Sequence, residues 1–312
     1  METLEIACDE SGSEGDKLVG GNTDVFAHAG VLLSVEAAAQ CVQRTRERIR
    51  SPATEYKANH LLRGKHRAVL MWLLGPSGPI HERARVYLAD KAFLAVRKIV
   101  EIAYEGPPEE DLAVELYREG PRAFGRERWT AFLEVFNEVM RGRAEVRTFD
   151  AAVAELAGTR GRAGEIVRSL GRLPEAVLPS GPGAIPVLDP LIPAIVQAVD
   201  HWGRGERAVS IVHDEHNGLT PERIARIQEM VPLAGLRQVD SFYEPRVQVA
   251  DFLAGVARKI AEEELNGRGD PELVALLRPY VDPASSWGDE RSWAALGPAP
   301  LAVSQAARPS SP

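Results

Sequence analysis

The sequence predicts an α/β protein in which a mixed sheet is flanked by helices. Short apolar runs alternate along the chain with longer segments whose apolar residues recur every three or four positions. Two of the most apolar runs end directly in acidic residues, one at Asp9 and the other at Asp214. Ligands of such sheets bind beyond the carboxyl ends of the strands, so a functional site is expected at these two ends.

Three strands are predicted in the first half of the chain. Residues 4–8 form a short apolar run that stops at an Asp-Glu-Ser-Gly sequence typical of turns, and residues 13–23 are polar and glycine-rich, as in a loop. Residues 25–33 are apolar and have the length of a second strand. The sequence RVYL at residues 85–88 predicts a third strand.

Helices are predicted between and after these strands. Ser34 can cap a helix over residues 35–49. Residues 67–74 have the apolar density of a buried helix that two prolines end, and another helix is predicted over 92–104. Residues 105–175 are mostly helical, since their apolar side chains follow a spacing of three and four.

The second half of the chain returns to an alternating pattern after a connection rich in proline and glycine. Pro190 suits the first turn of a helix. The predicted elements, in order, are a helix over 190–203, a strand over 208–212, a helix over 221–230, a strand over 236–239 and a helix over 246–264.

These elements predict a core that is interrupted once. Residues 1–104 and 190–282 form the α/β core, and residues 105–189 form a helical insertion. A C-terminal extension covers residues 283–312. Its last part, residues 294–312, is rich in Ala, Pro and Ser and is expected to be disordered.

The composition is that of an ordinary globular protein, with 312 residues of which 45% are hydrophobic. Such a chain buries a substantial core without disulfides, and two cysteines are too few for a disulfide framework or a zinc ribbon. The first residues, METLEIACDE, lack the features of a secretory signal, and the longest apolar runs fall short of the ~20 residues of a membrane span. We therefore expect a cytoplasmic protein that does not contact membranes; the sequence leaves its oligomeric state open.

The formal net charge of −8 excludes a basic field over the whole protein that would attract nucleic acid. Positive charge is nevertheless clustered, which leaves room for a local basic groove. Each cluster also fits an ordinary solvated helix face. The clusters comprise Arg44, Arg46, Arg48 and Arg50, then Arg63, Lys65, His66 and Arg67, and then Arg141, Arg143 and Arg147.

Three aspartates are unexpected if only folding matters. Asp9 and Asp214 end apolar strands, and Asp251 lies inside an apolar helix whose neighbouring residues are small enough to approach a sheet closely. Each also has an ordinary explanation: Asp9 as a turn residue, Asp214 as a helix cap, and Asp251 as an ion-pair partner of an arginine such as Arg258. Three converging carboxylates would repel one another unless a cation lay between them, and oxygen ligands favour Mg²⁺ or Mn²⁺.

The chain resembles a bacterial family, domain of unknown function 3800, which is regarded as ribonuclease H-like. The resemblance rests on the Asp-Glu-Ser-Gly sequence at residues 9–12, on HAGVLL, on Glu-Tyr-Lys at residues 55–57, on Ser241, and on the helix sequence QVADFLAG at residues 248–255. It implies a ribonuclease H-like fold with an acidic metal site. By position, the acids of that pattern are Asp9, Glu55, Asp214 and Asp251.

We therefore expect a nuclease or phosphodiesterase that uses Mg²⁺ or Mn²⁺ and acts on RNA or DNA. Two alternatives remain open: a non-catalytic nucleic-acid-binding or regulatory protein on the same fold, and a small-molecule phosphohydrolase. The expected site contains catalytic acids, metal ligands, substrate-binding residues and secondary acids. The catalytic acids are Asp9, Glu55, Asp214 and Asp251, and the metal ligands are Asp9, Asp214 and Asp251. The substrate-binding residues are Ser11, Gly12, Lys57 and Gln248, and the secondary acids are Glu10 and Glu215.

Overall fold

The computed structural model describes residues 3–14, 17–50, 56–107, 111–178, 181 and 183–298. Within these residues the chain forms a five-stranded sheet with helices packed on both of its faces. The predicted α/β class, a mixed sheet flanked by helices, is confirmed. In this described part of the chain, no helix is both long enough and apolar enough to cross a membrane.

The sheet is mixed, and its strands follow the order β3-β2-β1-β4-β5. β1 pairs antiparallel with β2, and β2 antiparallel with β3. β4 pairs parallel with β1 and with β5, so β1, β4 and β5 end at the same edge of the sheet. The strands are β1 (Leu4–Ser11), β2 (Val25–Val31), β3 (Ala84–Asp90), β4 (Val209–Asp214) and β5 (Leu233–Val239).

Two strands run further than their apolar residues predict. β1 continues through Asp9 and Glu10 to Ser11, because its pairing with β2 extends to that residue. β4 likewise includes Asp214, whose pairing partner is Val239 in β5. The acidic side chains do not end the strands, since pairing between strands depends on backbone groups.

The described helices are α1 (Val35–Ile49), α2 (Ala58–Leu61), α3 (Arg67–Leu74), α4 (Lys91–Ala103), α5 (Leu112–Ala123), α6 (Arg126–Met140), α7 (Val146–Ala157), α8 (Arg162–Arg168), α9 (Leu191–Gly203), α10 (Pro221–Met230), α11 (Pro245–Leu265), α12 (Pro271–Leu277) and α13 (Glu290–Leu296). As predicted, the side chain of Ser34 caps α1 by accepting a hydrogen bond from the amide of Ala37 at 3.2 Å. α9 packs on one face of the sheet, and α11, with α1, on the other.

α11 lies very close to its neighbours because its inner residues are small. Ala250 and Ala254 are fully buried. A Cβ atom at Gly255 would lie only 2.2 Å from Cβ of Ala58, so α2 and α11 can meet here only if this residue is glycine. The small residues of α11 therefore let α2 approach it closely, and α11 itself packs across β1 and β2.

The helices α5–α8 pack with α4 around a second hydrophobic core. Aromatic rings dominate it: the ring centroids of Trp129 and Phe132 are 5.6 Å apart, and Phe149 lies 5.5 Å from both Phe132 and Phe136. The periodic apolar residues that predicted a helix here are buried in this core. This core excludes water without any contribution from the sheet strands.

The C-terminal segment is ordered further than the sequence predicts. Residues 294–296 belong to α13, and Leu296 is fully buried in the core that contains α11 and α12. The carbonyl of Gly297 accepts a hydrogen bond from Nε of Arg278 at 2.6 Å. One buried leucine fixes this helix, which is too short to show periodicity in the sequence. Residues 299–312 lie outside the described residues.

Replacing Leu296 by Ala tests this packing. Loss of a fully buried leucine side chain removes its contacts and leaves a cavity, so the variant should lose about 2–5 kcal/mol of unfolding free energy. Urea unfolding of both proteins measures the difference. The control is Met230→Ala, whose side chain is 59% exposed and whose loss should change stability by no more than about 0.5 kcal/mol. Equal stabilities of the two variants would contradict the assigned packing.

Candidate functional site

The carboxyl ends of β1 and β4 bring two aspartates side by side. The parallel register pairs Cys8 with His213, so the residues that follow them, Asp9 and Asp214, are neighbours across the two strands. Both project from the face that α11 covers, because Ala7 and Val212, two residues earlier, belong to the core around α11. Sequence order could not establish this adjacency; the strand pairing does.

Asp251 approaches the same face from α11. This helix packs across β1 and β2. Oδ2 of Asp251 accepts a hydrogen bond from the amide of Ala58, at the start of α2, at 3.1 Å. Arg258, which the sequence offered as an ion-pair partner for Asp251, instead donates from Nε to Oγ of Ser11 at 3.1 Å and pairs with Glu262 at 3.0 Å.

The carboxyl group of Asp9 is the electrostatic centre of the site. The side chain is almost fully buried, and that burial raises the pKa of Asp9 well above its ordinary value. The negative charges of Glu10, Asp251 and Asp214, in decreasing order, raise the pKa further, while a hydrogen bond from the amide of Glu10 lowers it. Asp214 and Asp251 therefore both lie near enough to Asp9 for their charges to raise its pKa.

The carboxylates around Asp9 are the type of ligand that a hard divalent cation prefers. In the structure, the described side chains are not arranged to hold one. Carboxylate oxygens are the ligands that Mg²⁺ and Mn²⁺ prefer, and the three acids that act on Asp9 favour a cation there. Among the described residues, however, no group of three or more His, Cys, Asp or Glu side chains is arranged to hold a metal ion. Glu55, predicted as a fourth acid, lies outside the described residues.

A turn after β5 connects to the site through Ser241. The amide of Ser241 donates to Oδ1 of Asp214 at 3.1 Å, and Nζ of Lys57 donates to Oγ of Ser241 at the same distance. Lys57, a predicted substrate-binding residue, therefore contacts the turn that binds Asp214. Nε2 of Gln248 donates to the carbonyls of Ser241 at 2.8 Å and of Phe242 at 3.1 Å, so this predicted substrate-binding residue holds the turn in place.

Ser11 and Gly12 close the end of β1. Ser11 contacts Arg258 through its hydroxyl. Gly12 has a φ of +85°, and a Cβ atom there would lie 2.4 Å from the carbonyl oxygen of Val25. The turn therefore requires glycine at residue 12 for backbone reasons. The backbone alone therefore explains why residue 12 is glycine, and no contact to a substrate is needed to explain it.

The secondary acid Glu10 projects from the opposite face of the sheet. Its carboxylate oxygens lie 3.7 Å from Nε2 of His213 and 3.7 Å from Nε2 of His216. Burial raises the pKa of Glu10 to about 7, with Asp214 adding to the rise, and burial lowers the pKa of His213 to about 4. His28 stacks on His213 with ring centroids 5.4 Å apart. The exposed Glu215 lies at the rim of a cavity of about 470 Å³ that Glu10 and His216 also line.

The histidines show what the sequence could and could not reveal. His213 and His216 flank the acidic pair at residues 214–215, so the sequence marks them as neighbours of those acids, while their proximity to Glu10 follows from the pairing of β1 with β4. His28 carries no such signal, since it reaches the cluster only through the antiparallel pairing of Glu10 with His28. The cluster is therefore a product of sheet register.

Several arginines of the predicted basic clusters are engaged elsewhere. The guanidinium of Arg48 lies 4.2 Å from the ring centroid of Trp72. Arg67 pairs with Asp270 and Glu272, and Arg141 pairs with Glu138 at 2.9 Å. Arg48 and Arg67 fit the ordinary explanation of ring-packed or solvated helix faces, while the side chain of Arg141 is largely buried.

Comparison of the chain with known protein families, with curated proteins and with solved structures finds no match in any of them. The resemblance drawn from the Asp-Glu-Ser-Gly and QVADFLAG motifs therefore stays a prediction. The geometry of the site itself must carry any functional conclusion.

Replacing Asp214 by Asn separates a metal ligand from a structural aspartate. The amide oxygen of Asn can still accept the hydrogen bond from Ser241, while the negative charge beside Asp9 is removed. In EDTA the variant should therefore melt no lower than the parent. Mg²⁺ or Mn²⁺ at about a hundredfold excess over the dissociation constant should stabilise the parent by about 2.7 kcal/mol and the variant far less.

Asp214→Ala is the matched control, because it also removes the acceptor for the Ser241 amide and should lower the melting temperature with and without metal. Thermal melts of the three proteins in EDTA and in Mn²⁺ measure these effects. An Asn variant destabilised equally in both buffers would make Asp214 a purely structural residue.

Glu10→Gln tests the electrostatic cost on the other face. The pKa of Glu10 is raised from 4.5 to about 7, so ionising this residue in the folded protein costs stability. Its contribution to stability is therefore fully present below pH 4.5 and is lost as the pH rises to about 7. The lowered pKa of His213 acts in the opposite direction, since stability is then lost as the pH falls from 6.5 to about 4. Only a comparison with the variant isolates Glu10.

In EDTA, the stability of Glu10→Gln relative to the parent should rise by an amount on the order of 3 kcal/mol between pH 4.5 and pH 7.5. Urea unfolding at several pH values measures this difference. The control is Glu215→Gln, an exposed acid after β4 that lines the same cavity as Glu10, and its stability curve should follow that of the parent. Parallel curves for Glu10→Gln and the parent would show that Glu10 ionises without cost.

Proposed function

We propose that this chain is a divalent-metal-dependent nuclease or phosphodiesterase that hydrolyses phosphodiester bonds of nucleic acid. The observation that carries the proposal is that Asp9 and Asp214 end neighbouring parallel strands, while the charges of Asp214 and Asp251 both raise the pKa of the buried Asp9. A fold gains no stability from burying one carboxyl group beside three other acids. Such a cost is typical of a functional site.

The sheet supports a ribonuclease H-like fold, which we propose for the core. Three antiparallel strands are followed across the sheet by two parallel ones, in the order β3-β2-β1-β4-β5. The acids lie at the carboxyl ends of the central strand and its parallel neighbour. This is the edge at which open α/β sheets place their ligands.

Asp9, Asp214 and Asp251 are the residues that would hold Mg²⁺ or Mn²⁺. When bound, a divalent ion in such a site activates water and stabilises the charge that builds on the phosphate and the leaving oxygen. Two of these carboxylates are already fixed by backbone amides: Asp214 by Ser241 and Asp251 by Ala58. That fixation lowers the cost of orienting the ligands at the moment of binding.

Other residues beside the acids would contact the substrate. The ammonium group of Lys57, held at Ser241, is the positive charge suited to an incoming phosphate. The carbonyl oxygens of Ser241 and Phe242 are occupied by Gln248, so the turn presents a fixed backbone to the substrate. Contacts to phosphate of this type carry no base specificity, which fits action on nucleic acid of many sequences.

Cleavage of labelled RNA and DNA oligonucleotides in Mg²⁺ or Mn²⁺ tests the proposal. The parent should cleave, and EDTA should abolish cleavage. Asp9→Asn and Asp251→Asn should each reduce the rate at least about a hundredfold, because losing only an outer-shell partner of a metal ligand already costs 10–100-fold. Asp200→Asn, an exposed aspartate on α9, is the control that should retain the parental rate.

The other outcomes separate the alternatives. Oligonucleotide binding with steep salt dependence but no cleavage in any metal would favour a non-catalytic binding protein. Hydrolysis of small phosphodiesters or nucleotides without binding of oligonucleotides would favour a small-molecule phosphohydrolase. A cleavage rate that Asp9→Asn and Asp251→Asn leave unchanged would refute the proposed site.

A further inference from the structure

Two aromatic side chains stand in solvent immediately after the turn residue that contacts Asp214. Among the described residues the exposed large hydrophobic side chains are Val35, Met230, Phe242 and Tyr243. The first two are isolated, which is ordinary for a protein surface. Phe242 and Tyr243 are adjacent, and they are 48% and 80% exposed. Adjacent exposed rings beside a candidate active site need a separate explanation.

The turn that presents these rings is held by its own hydrogen bonds. The amide of Phe242 donates to Oδ1 of Asp240 at 2.9 Å, and the amide of Tyr243 donates to the carbonyl of Asp240 at 3.1 Å. Gln248 adds two hydrogen bonds from α11 to the carbonyls of Ser241 and Phe242. The rings meet edge to face, with centroids 5.0 Å apart. The rings are therefore held in solvent by a fixed backbone.

The position of the rings follows from Ser241. Its amide binds Asp214 and its hydroxyl accepts from Lys57, so residue 241 belongs to the candidate site. Phe242 is the next residue, and its Cα lies about 3.8 Å further along the chain. The aromatic pair therefore flanks the place where a phosphate would be cleaved.

We propose that Phe242 and Tyr243 form a stacking site for unpaired bases next to the scissile phosphate, so that the substrate is single-stranded nucleic acid or a strand with unpaired bases. This inference rests on the proposed nuclease function and names its substrate class. Every base has an aromatic face, so stacking on such rings does not depend on sequence. Bases within a duplex are stacked on one another and cannot offer that face.

The small size of the patch favours a base over a protein partner. A stable protein interface buries about 800 Å² on each side, and two rings supply only a fraction of that area. A nucleobase needs no more than one or two aromatic faces. The pair also continues directly into residues that contact the acidic site, as a substrate-binding surface would.

Binding of fluorescent oligonucleotides in EDTA tests the proposal without cleavage. The probes are a mixed-sequence single strand as RNA and as DNA, the same DNA length with abasic sites in place of its bases, and a DNA duplex. Phe242→Ala/Tyr243→Ala should weaken binding of the single strands about tenfold or more, since alanine substitution of one stacking ring costs about 5- to 100-fold per base. Binding of the abasic strand and of the duplex should not change.

Two further variants keep the result interpretable. Val35→Ala/Met230→Ala removes two exposed apolar side chains elsewhere and should bind every probe like the parent. Tyr243→Trp keeps an aromatic face and should retain single-strand binding. Thermal melts of all variants should coincide within a few degrees, because the altered side chains are exposed.

The remaining outcomes overturn the stacking site or the function beneath it. If the parent binds the abasic strand as tightly as the intact strand, or if the double alanine variant binds the intact strand as tightly as the parent does, the stacking site is refuted while cleavage by the acids stands. If the alanine variant instead changes the sedimentation coefficient of the protein, the rings belong to a contact between copies. If the parent neither binds nor cleaves any oligonucleotide, the proposed function itself fails.

Discussion

The structure depends on the burial of one carboxyl group, that of Asp9, beside three other acids. The pKa of Asp9 is raised first by burial and then by Glu10, Asp251 and Asp214. The sheet order places Asp214 next to it, and α11, which carries Asp251, packs across β1 and β2. Apolar side chains could be buried at this position at a lower cost than a carboxyl group. The fold instead buries Asp9 among acids that favour a bound cation.

Asp9 and Glu10 are successive residues of β1, and their side chains lie in two different environments on opposite faces of the sheet. Asp9 faces α11, and Glu10 faces the histidines on the opposite side, because side chains alternate along a strand. The first environment contains the carboxylates of Asp214 and Asp251. The second contains two neutral imidazoles, since burial lowers the pKa of both His28 and His213. The carboxyl end of β1 therefore places an acid among carboxylates on one face of the sheet and the next acid among buried histidines on the other face.

Much of this could be predicted from the chain, and the failures have physical causes. Asp9, Asp214 and Asp251 stood out because each is an acid where apolar periodicity predicts burial. Their proximity depends on strand order, which separation in sequence does not encode. The place of His28 depends on antiparallel register, and the order of Leu296 on one buried contact, so local patterns revealed neither.

The most direct test of the shared acidic site is a crystal structure of the 312-residue chain grown with Mn²⁺, with diffraction recorded for its anomalous signal. The account predicts an anomalous peak within about 2.5 Å of carboxylate oxygens from Asp9, Asp214 and Asp251. A peak elsewhere, such as between Glu10 and His213, or no peak at all beside an ordered Asp9 would contradict it.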